Sequence, residues 1–325
     1  MRTAPIATAT GHLSVLFEET LAGLDLRPGM AYLDATFGGG GHARGMLERT
    51  APDGRVFAID ADPAASGRAR ALADEPGVGD RLTFARLNFA DLRGWLGATG
   101  APIFAGALFD LGLSSFQLDD AERGFALRLD GPLDMRFDPD RGRSAEEIVN
   151  SSSVEEFAAL LWKFGEENAG RRIAAAVVRE RERTPIITTA RLAQIVTGAI
   201  GGRRGANPHS ASQTFQALRI EVNHELEALE AGLEAAVDAL QPGGRLAVIS
   251  FHSLEDRIVK RFIRAESATC VCPPEQPVCT CDTQPRLIPR SRAVRPSADE
   301  QRINPRSRSA TLRVAERTAN LVPAS

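Results

Sequence analysis

Four short apolar runs in the first 110 residues alternate with stretches of helical character: 31–36 (AYLDAT), 55–60 (RVFAID), 81–89 (RLTFARLNF) and 103–109 (IFAGALF). Runs of this kind read as strands buried on both faces, and such strands separated by helices build parallel β-α-β units. Asp62-Pro63 opens one of the helices, with Pro63 suited to its first turn. A fifth run, 245–251 (RLAVISF), comes much later. It follows a stretch, 218–240, whose residues Leu218, Val222, Leu226, Leu229, Leu233, Ala236 and Leu240 share one helical face, with Pro242-Gly243-Gly244 as its stop. About 135 residues separate the fourth and fifth runs, where one crossover needs about 30. The excess has to be an insertion. Inside it, 154–164, 171–183 and 190–200 carry apolar residues at three- and four-residue intervals, the pattern of helices. The expectation is a doubly wound α/β domain, discontinuous over 1–115 and 216–268, with an inserted all-helical domain at 116–215. A Cys-, Pro- and Arg-rich extension, 269–325, would fold back as loops or stay partly disordered.

Composition narrows the class. Apolar residues at 43% and charged residues at 25% exclude fibrous and disordered chains, and no apolar window is long enough to span a bilayer. Glu18 and Glu19 interrupt the short apolar stretch near the start, so no signal peptide is expected. All four cysteines lie within 270–281, which fits a reducing, cytoplasmic setting rather than a scattered disulfide framework. The net charge of −3 speaks at first against a nucleic-acid partner, but it is an average. Of 39 basic residues only Lys163 and Lys260 are lysines, and the arginines gather locally.

Between the first strand and its helix stands Asp34-Ala-Thr-Phe-Gly-Gly-Gly-Gly-His42, where a glycine-rich backbone lets a nucleotide approach. Asp60 ends the second strand 22 residues after Gly38, the place for an acid that hydrogen-bonds ribose hydroxyls. The bland alternative is a tight turn beside a surface acid. A carboxylate ahead of the loop suits a cationic ligand better than a pyrophosphate, which favours S-adenosylmethionine over a dinucleotide.

Asp110-Leu-Gly-Leu-Ser-Ser-Phe-Gln117 ends the fourth strand, on the edge of the sheet where ligand crevices form. Together with His12-Leu-Ser-Val-Leu, Asp34 to His42, Ala58-Ile-Asp60, Asn88-Phe89, Pro132-Leu-Asp-Met-Arg136, Thr214 to Arg219, Pro242 to Asp256 and Asn304 to Ala310, this stretch carries a family resemblance. Nearly end to end, the chain resembles the bacterial small-subunit (16S) ribosomal RNA cytosine-N4 methyltransferases, the MraW or RsmH family. The resemblance implies a class I (Rossmann-like) S-adenosylmethionine-dependent methyltransferase sheet. It implies S-adenosylmethionine as methyl donor, and as acceptor a cytidine of the decoding region of 16S rRNA, reached in naked rRNA or in the small ribosomal subunit. Carried over by position, donor contacts fall on Gly40, Gly41, His42, Asp60, Phe89, Asp110 and Gln117. The two glycines would admit backbone to the donor, Asp60 would hold the ribose, Phe89 would face adenine, and Asp110 and Gln117 would bind the adenine or the methionine end. A histidine opening a helix can also simply cap it or fill space.

Amino-group methyltransferases often place an Asp- or Asn-Pro-Pro-aromatic loop after the fourth strand. Here Asp110 survives without the prolines or the aromatic, so Asp110 is the catalytic candidate, and Phe116, Phe137 and Phe251 are candidates for stacking the base. His252 and Asp256 after the fifth strand could support the acceptor or merely shape a loop. From Arg286 to Arg317 nine arginines face three acids, a surface that can pair with RNA phosphates, and Arg306 and Arg308 are its candidate contacts. The inserted domain, 116–215, adds Arg171, Arg172, Arg179, Arg181, Arg183, Arg203 and Arg204, a second basic surface that together with the resemblance makes RNA recognition its expected role. Cys270-Val-Cys272 and Cys279-Thr-Cys281 could hold a structural zinc, although C-x₂-C is the commoner spacing, or stay as free or redox-active thiols. Two rival functions stay open on sequence: a methyltransferase of the same fold acting on another nucleic acid or a small molecule, and a catalytically silent rRNA-binding assembly factor.

Overall fold

The computed structural model describes residues 14–201, 208–273, 276, 278 and 280–319; His12, Arg203, Arg204 and Cys279 lie outside them. Along the chain run α1 (Phe17–Leu24), β1 (Ala31–Asp34), α2 (Gly41–Arg49), β2 (Arg55–Asp60), α3 (Pro63–Ala73), β3 (Leu82–Arg86), α4 (Leu92–Thr99) and β4 (Phe104–Asp110). The helices α5 (Ser115–Asp119), α6 (Ala145–Ser151), α7 (Val154–Gly165), α8 (Gly170–Arg181), α9 (Thr189–Ala199), α10 (Pro208–Asn223) and α11 (Glu225–Ala239) follow. Then come β5 (Leu240–Ser250), α12 (Ser253–Glu266), β6 (Leu287–Pro289), α13 (Ala298–Ile303) and β7 (Thr311–Arg317). The chain divides into two compact units, residues 1–112 with 227–325, and residues 113–226.

The first unit is built on one seven-stranded sheet in the order β3-β2-β1-β4-β5-β7-β6. β1 to β5 pair in parallel, and β7 runs antiparallel to both β5 and β6. This is the class I, Rossmann-like methyltransferase sheet, with its topological switch between β1 and β4. β1 and β4 at the centre are buried on both faces, which is why their runs are apolar without alternation, while the edge strand β3 leaves Thr83 and Arg86 exposed. One core layer gathers Leu16, Leu21, Tyr32, Met46, Leu108 and Val314; the other gathers Leu33, Phe104, Phe109, Leu229, Leu233 and Val248. Complete burial of Phe104 and Phe109 stabilises the fold by roughly 1.5–3 kcal/mol each.

Three features depart from the sequence-based expectation. The apolar stretch 218–240 is two helices, because His224 adopts a left-handed φ of 49° between α10 and α11. Pro242-Gly243-Gly244 lies within β5 rather than before it: Leu240 pairs with Phe104 and Arg245 with Gly106, so the residues between bulge out of register. The C-terminal stretch supplies β6 and β7, and β7 pairs with β5 from Arg245↔Glu316 to Ser250↔Thr311.

The second unit is helical around Phe157, Leu161, Ile173, Val177, Leu192 and Leu218, all buried. Ser144 and Ser153 begin α6 and α7 with reciprocal capping boxes to Glu147 and Glu156. In the Pro132-to-Arg136 segment, buried Met135 takes a left-handed φ of 63°. Asn223 brackets it, donating from Nδ2 to the Met135 carbonyl (2.8 Å) and accepting at Oδ1 from the Phe137 N–H (2.7 Å).

Candidate active site

The site is assembled where β1, β2 and β4 end. Leaving β1, the chain turns at Asp34, whose Oδ1 accepts from the Thr36 N–H (3.1 Å), and Thr36 Oγ1 accepts from the Asp110 N–H (2.6 Å). Thr36 thereby ties the loop after β1 to the end of β4. The loop's conformation needs glycine at two points: Gly38 has φ 52° and Gly40 φ 77°, and a Cβ on Gly40 would stand 2.7 Å from the Phe37 ring. Arg68 on α3 donates from Nε to the Gly38 carbonyl at 2.8 Å.

Asp60 closes the other side of this loop. Its Oδ2 accepts from the Gly38 N–H (2.7 Å) and its Oδ1 from the Asp62 N–H (2.8 Å). Burial raises its pKa above the ordinary carboxyl value despite these bonds. Each oxygen keeps a lone pair, so a ribose hydroxyl can still be accepted. Phe89 packs edge-on against Phe109 at 5.7 Å, closing over Gly232, where a Cβ would come within 3.1 Å of its ring.

His42 is buried at the start of α2, stacked on Phe17 with centroids 5.8 Å apart, and its Nδ1 lies 3.3 Å from Asp110 Oδ2. Burial works to lower the His42 pKa, but the hydrogen bond it donates to Asp110 and the charges of Asp110 and Asp34 outweigh it and raise it. Asp34, 1% exposed, has its carboxyl pushed up to about 7, chiefly by burial. Asp34 Oδ2 and Asp110 Oδ1 are buried oxygens with no hydrogen-bond partner among the described residues. Two unsatisfied carboxylate acceptors fit a ligand bearing N–H donors and positive charge. The α2 N-terminus, capped by no side chain, suits the opposite end of such a ligand, a carboxylate. A zwitterionic amino-acid moiety satisfies both; a pyrophosphate would meet two acids.

Gln117 belongs to the second unit. It is buried there, its Oε1 accepting from the Ser114 N–H (3.0 Å) while Ser114 Oγ accepts from the Gln117 N–H (3.3 Å), a capping box that opens α5. Phe137 stacks on Phe125 in that unit, 5.6 Å between centroids. Phe251 packs against Gly112 in the first unit. His252 and Asp256 have structural work. His252 caps α12 with Nδ1 accepting from the Glu255 N–H and Nε2 3.0 Å from Glu255 Oε1, and Arg313 grips Asp256 in two bonds of 2.8 and 2.9 Å. Thr36 and Phe17, which organise the site, were not singled out from sequence.

Of the nine tail arginines, at least five are engaged within the fold. Arg286 meets Glu234, Asp238 and Glu266; Arg290 meets Glu316; Arg302 meets Asp299; Arg313 meets Asp256; and Arg317 donates to the Val237 carbonyl. Arg308 is exposed and Arg306 partly so, on the short turn 305–309.

Residues 9–318 match the MraW methylase family. The chain belongs to this family. A Thermomicrobium roseum relative named ribosomal RNA small subunit methyltransferase H is 56% identical over 314 residues, spanning 96% of this chain and 95% of that protein. A Halorhodospira halophila protein of the same name is 50% identical over 313 residues, 95% of each chain. Among solved structures, an rRNA methylase from Streptococcus thermophilus aligns with 94% of this chain and 99% of its own, at 13% identity and a TM-score of 0.42. No helix of this MraW-family chain, among the described residues, is long and apolar enough to cross a membrane.

Proposed function

We propose that this MraW-family chain transfers a methyl group from S-adenosylmethionine to the N4 amino group of a cytidine in the decoding region of 16S rRNA. The observation that carries the reading is the pair of unsatisfied buried carboxylate oxygens, Asp34 Oδ2 and Asp110 Oδ1, beside a glycine loop in a chain of this family. S-adenosylmethionine supplies an electrophilic methyl group on a sulfonium. Gly40 and Gly41 give it backbone access, the acceptor oxygens receive its amine, Asp60 its ribose hydroxyls, and Phe89 an apolar wall for its adenine. His42 positions Asp110 through Nδ1.

Cytosine N4 is conjugated into its ring and is a weak nucleophile. An acceptor such as Asp110 that hydrogen-bonds the NH₂ would turn its lone pair toward the methyl carbon and stabilise the positive charge that develops. Gln117 and the helical second unit would contribute donor and RNA contacts, and Arg306 and Arg308 would pair with phosphates.

Labelled methyl transfer to small subunits from a strain lacking the protein, followed by mapping of the modified nucleotide, tests this. Label on a cytidine N4 in the decoding region is expected. Label on another nucleotide would establish a different acceptor, and no label on subunits or their naked RNA would leave a silent assembly factor.

A further inference from the structure

We infer that Cys270, Cys272 and Cys281 form a zinc site that pins the segment between α12 and β6. Among the described residues, no helix or strand lies between the end of α12 at Glu266 and the start of β6 at Leu287. In that interval the ligating atoms of the three cysteines all lie within 4.8 Å of one another. Cys270 Sγ and Cys281 Sγ are 3.7 Å apart. A disulfide needs about 2.05 Å. Two thiolates on a tetrahedral zinc, each at about 2.3 Å, stand roughly 3.7–3.8 Å apart. The spacing therefore fits a shared metal ion and not a bond between the sulfurs.

The backbone is arranged for anionic sulfur. The Val271 N–H points at Cys281 Sγ and the Cys272 N–H at Cys270 Sγ, both at 3.4 Å. Amide donors to ligating atoms fix their orientation and tune a metal centre from its outer shell. Cys270 also lines a cavity of about 540 Å³ with Lys260, Arg264 and Ser267. Sulfur ligands select zinc over magnesium or calcium, which require oxygen. Three thiolates leave the fourth tetrahedral position to a water or another ligand.

Binding would take the protons off the thiols and bind the ion with no redox change. The site stands apart from the proposed methyl-transfer residues, so its test reads metal and not activity. The full chain, purified under reductant without chelator from zinc-supplemented cells, is expected to carry about one zinc per chain. The double variant Cys270→Ser/Cys281→Ser should lose at least about tenfold of that content. Exchange of zinc for cobalt(II) in the unaltered chain should give the intense sulfur-to-cobalt charge-transfer absorption of tetrahedral thiolate sites. If the variant fails to fold, alkylation of the unaltered chain decides: bound zinc should protect the cysteines from iodoacetamide and a chelator should expose them. Absence of zinc from the reduced chain after equimolar zinc and dialysis, a cobalt spectrum without charge-transfer bands, or alkylation rates indifferent to zinc would each overturn the site.

Discussion

His42 Nδ1 stands 3.3 Å from Asp110 Oδ2, joining the first turn of α2 to the end of β4 across 68 residues of sequence. This contact orients Asp110 so that its other oxygen, Oδ1, stays without a protein partner. A hydrogen bond to a charged group contributes about 1.5–3 kcal/mol. His42→Ala is therefore expected to weaken S-adenosylmethionine binding about 10- to 100-fold by calorimetry. Asp110→Asn, which keeps shape but removes charge, should lower methyl-transfer turnover as well. Normal affinity and normal turnover in Asp110→Asn would exclude a charge-based role.

Asp34 links the site to pH. Its folded pKa of about 7 lies above the ordinary carboxyl value, so the folded state holds its proton more tightly than the unfolded one. The contribution of this group is undiminished below about pH 4 and is lost as pH rises toward 7, by up to about 4 kcal/mol. Asp34→Asn removes the ionisation and should be more stable than the unaltered chain at pH 8, but not at pH 3.5. Urea unfolding at the two values checks this; an equal difference at both would mean burial does not govern this carboxyl.

Gly40→Ala combines a left-handed φ with a Cβ 2.7 Å from the Phe37 ring. A stability loss of roughly 1–3 kcal/mol is expected in the urea midpoint. Trimming the ring with Phe37→Leu in the Gly40→Ala background should recover the steric part alone. A double variant no better than the sum of the two changes would place the cost wholly in the backbone.

Asn223→Ala should unpin Met135. It leaves the Phe137 N–H and the Met135 carbonyl without their side-chain partner, at about 1–3 kcal/mol, and faster amide exchange should appear at Phe137. Unchanged exchange there would show that the left-handed Met135 is held by packing instead.

Arg308→Ala should weaken RNA binding uniformly across sequences and flatten the salt dependence, its log–log slope falling by about 0.7–0.9. Arg302→Ala, removing a cation already paired with Asp299, should change the slope less. Equal changes in slope would mean that pairing within the tail does not decide which arginines meet phosphate.

β1, β2 and β4 were legible because their central residues are buried and leave apolar runs with nothing else to be, whereas the edge strand β3, with Thr83 and Arg86 exposed, was legible from its place in the strand-helix alternation. β7 was not. Its Arg313 and Arg317 read as solvent or RNA contacts, yet Arg313 is matched to Asp256 and Arg317 to the Val237 carbonyl, partners 57 and 80 residues away. The positions of Asp34, Gly40, Asp60 and Asp110 followed from strand ends. Thr36 escaped notice because its bond to the Asp110 N–H spans 74 residues, and Phe17 because its partner His42 lies beyond its own helix.

The antiparallel pairing of β7 with β5 bears on how the chain is made. A ribosome has released β1 to β5 before β7 exists, so during those last stages of synthesis the outer edge of β5 presents bare N–H and C=O groups. A nascent chain in that condition is a client for chaperones, and any stop before Thr311 would leave it one permanently.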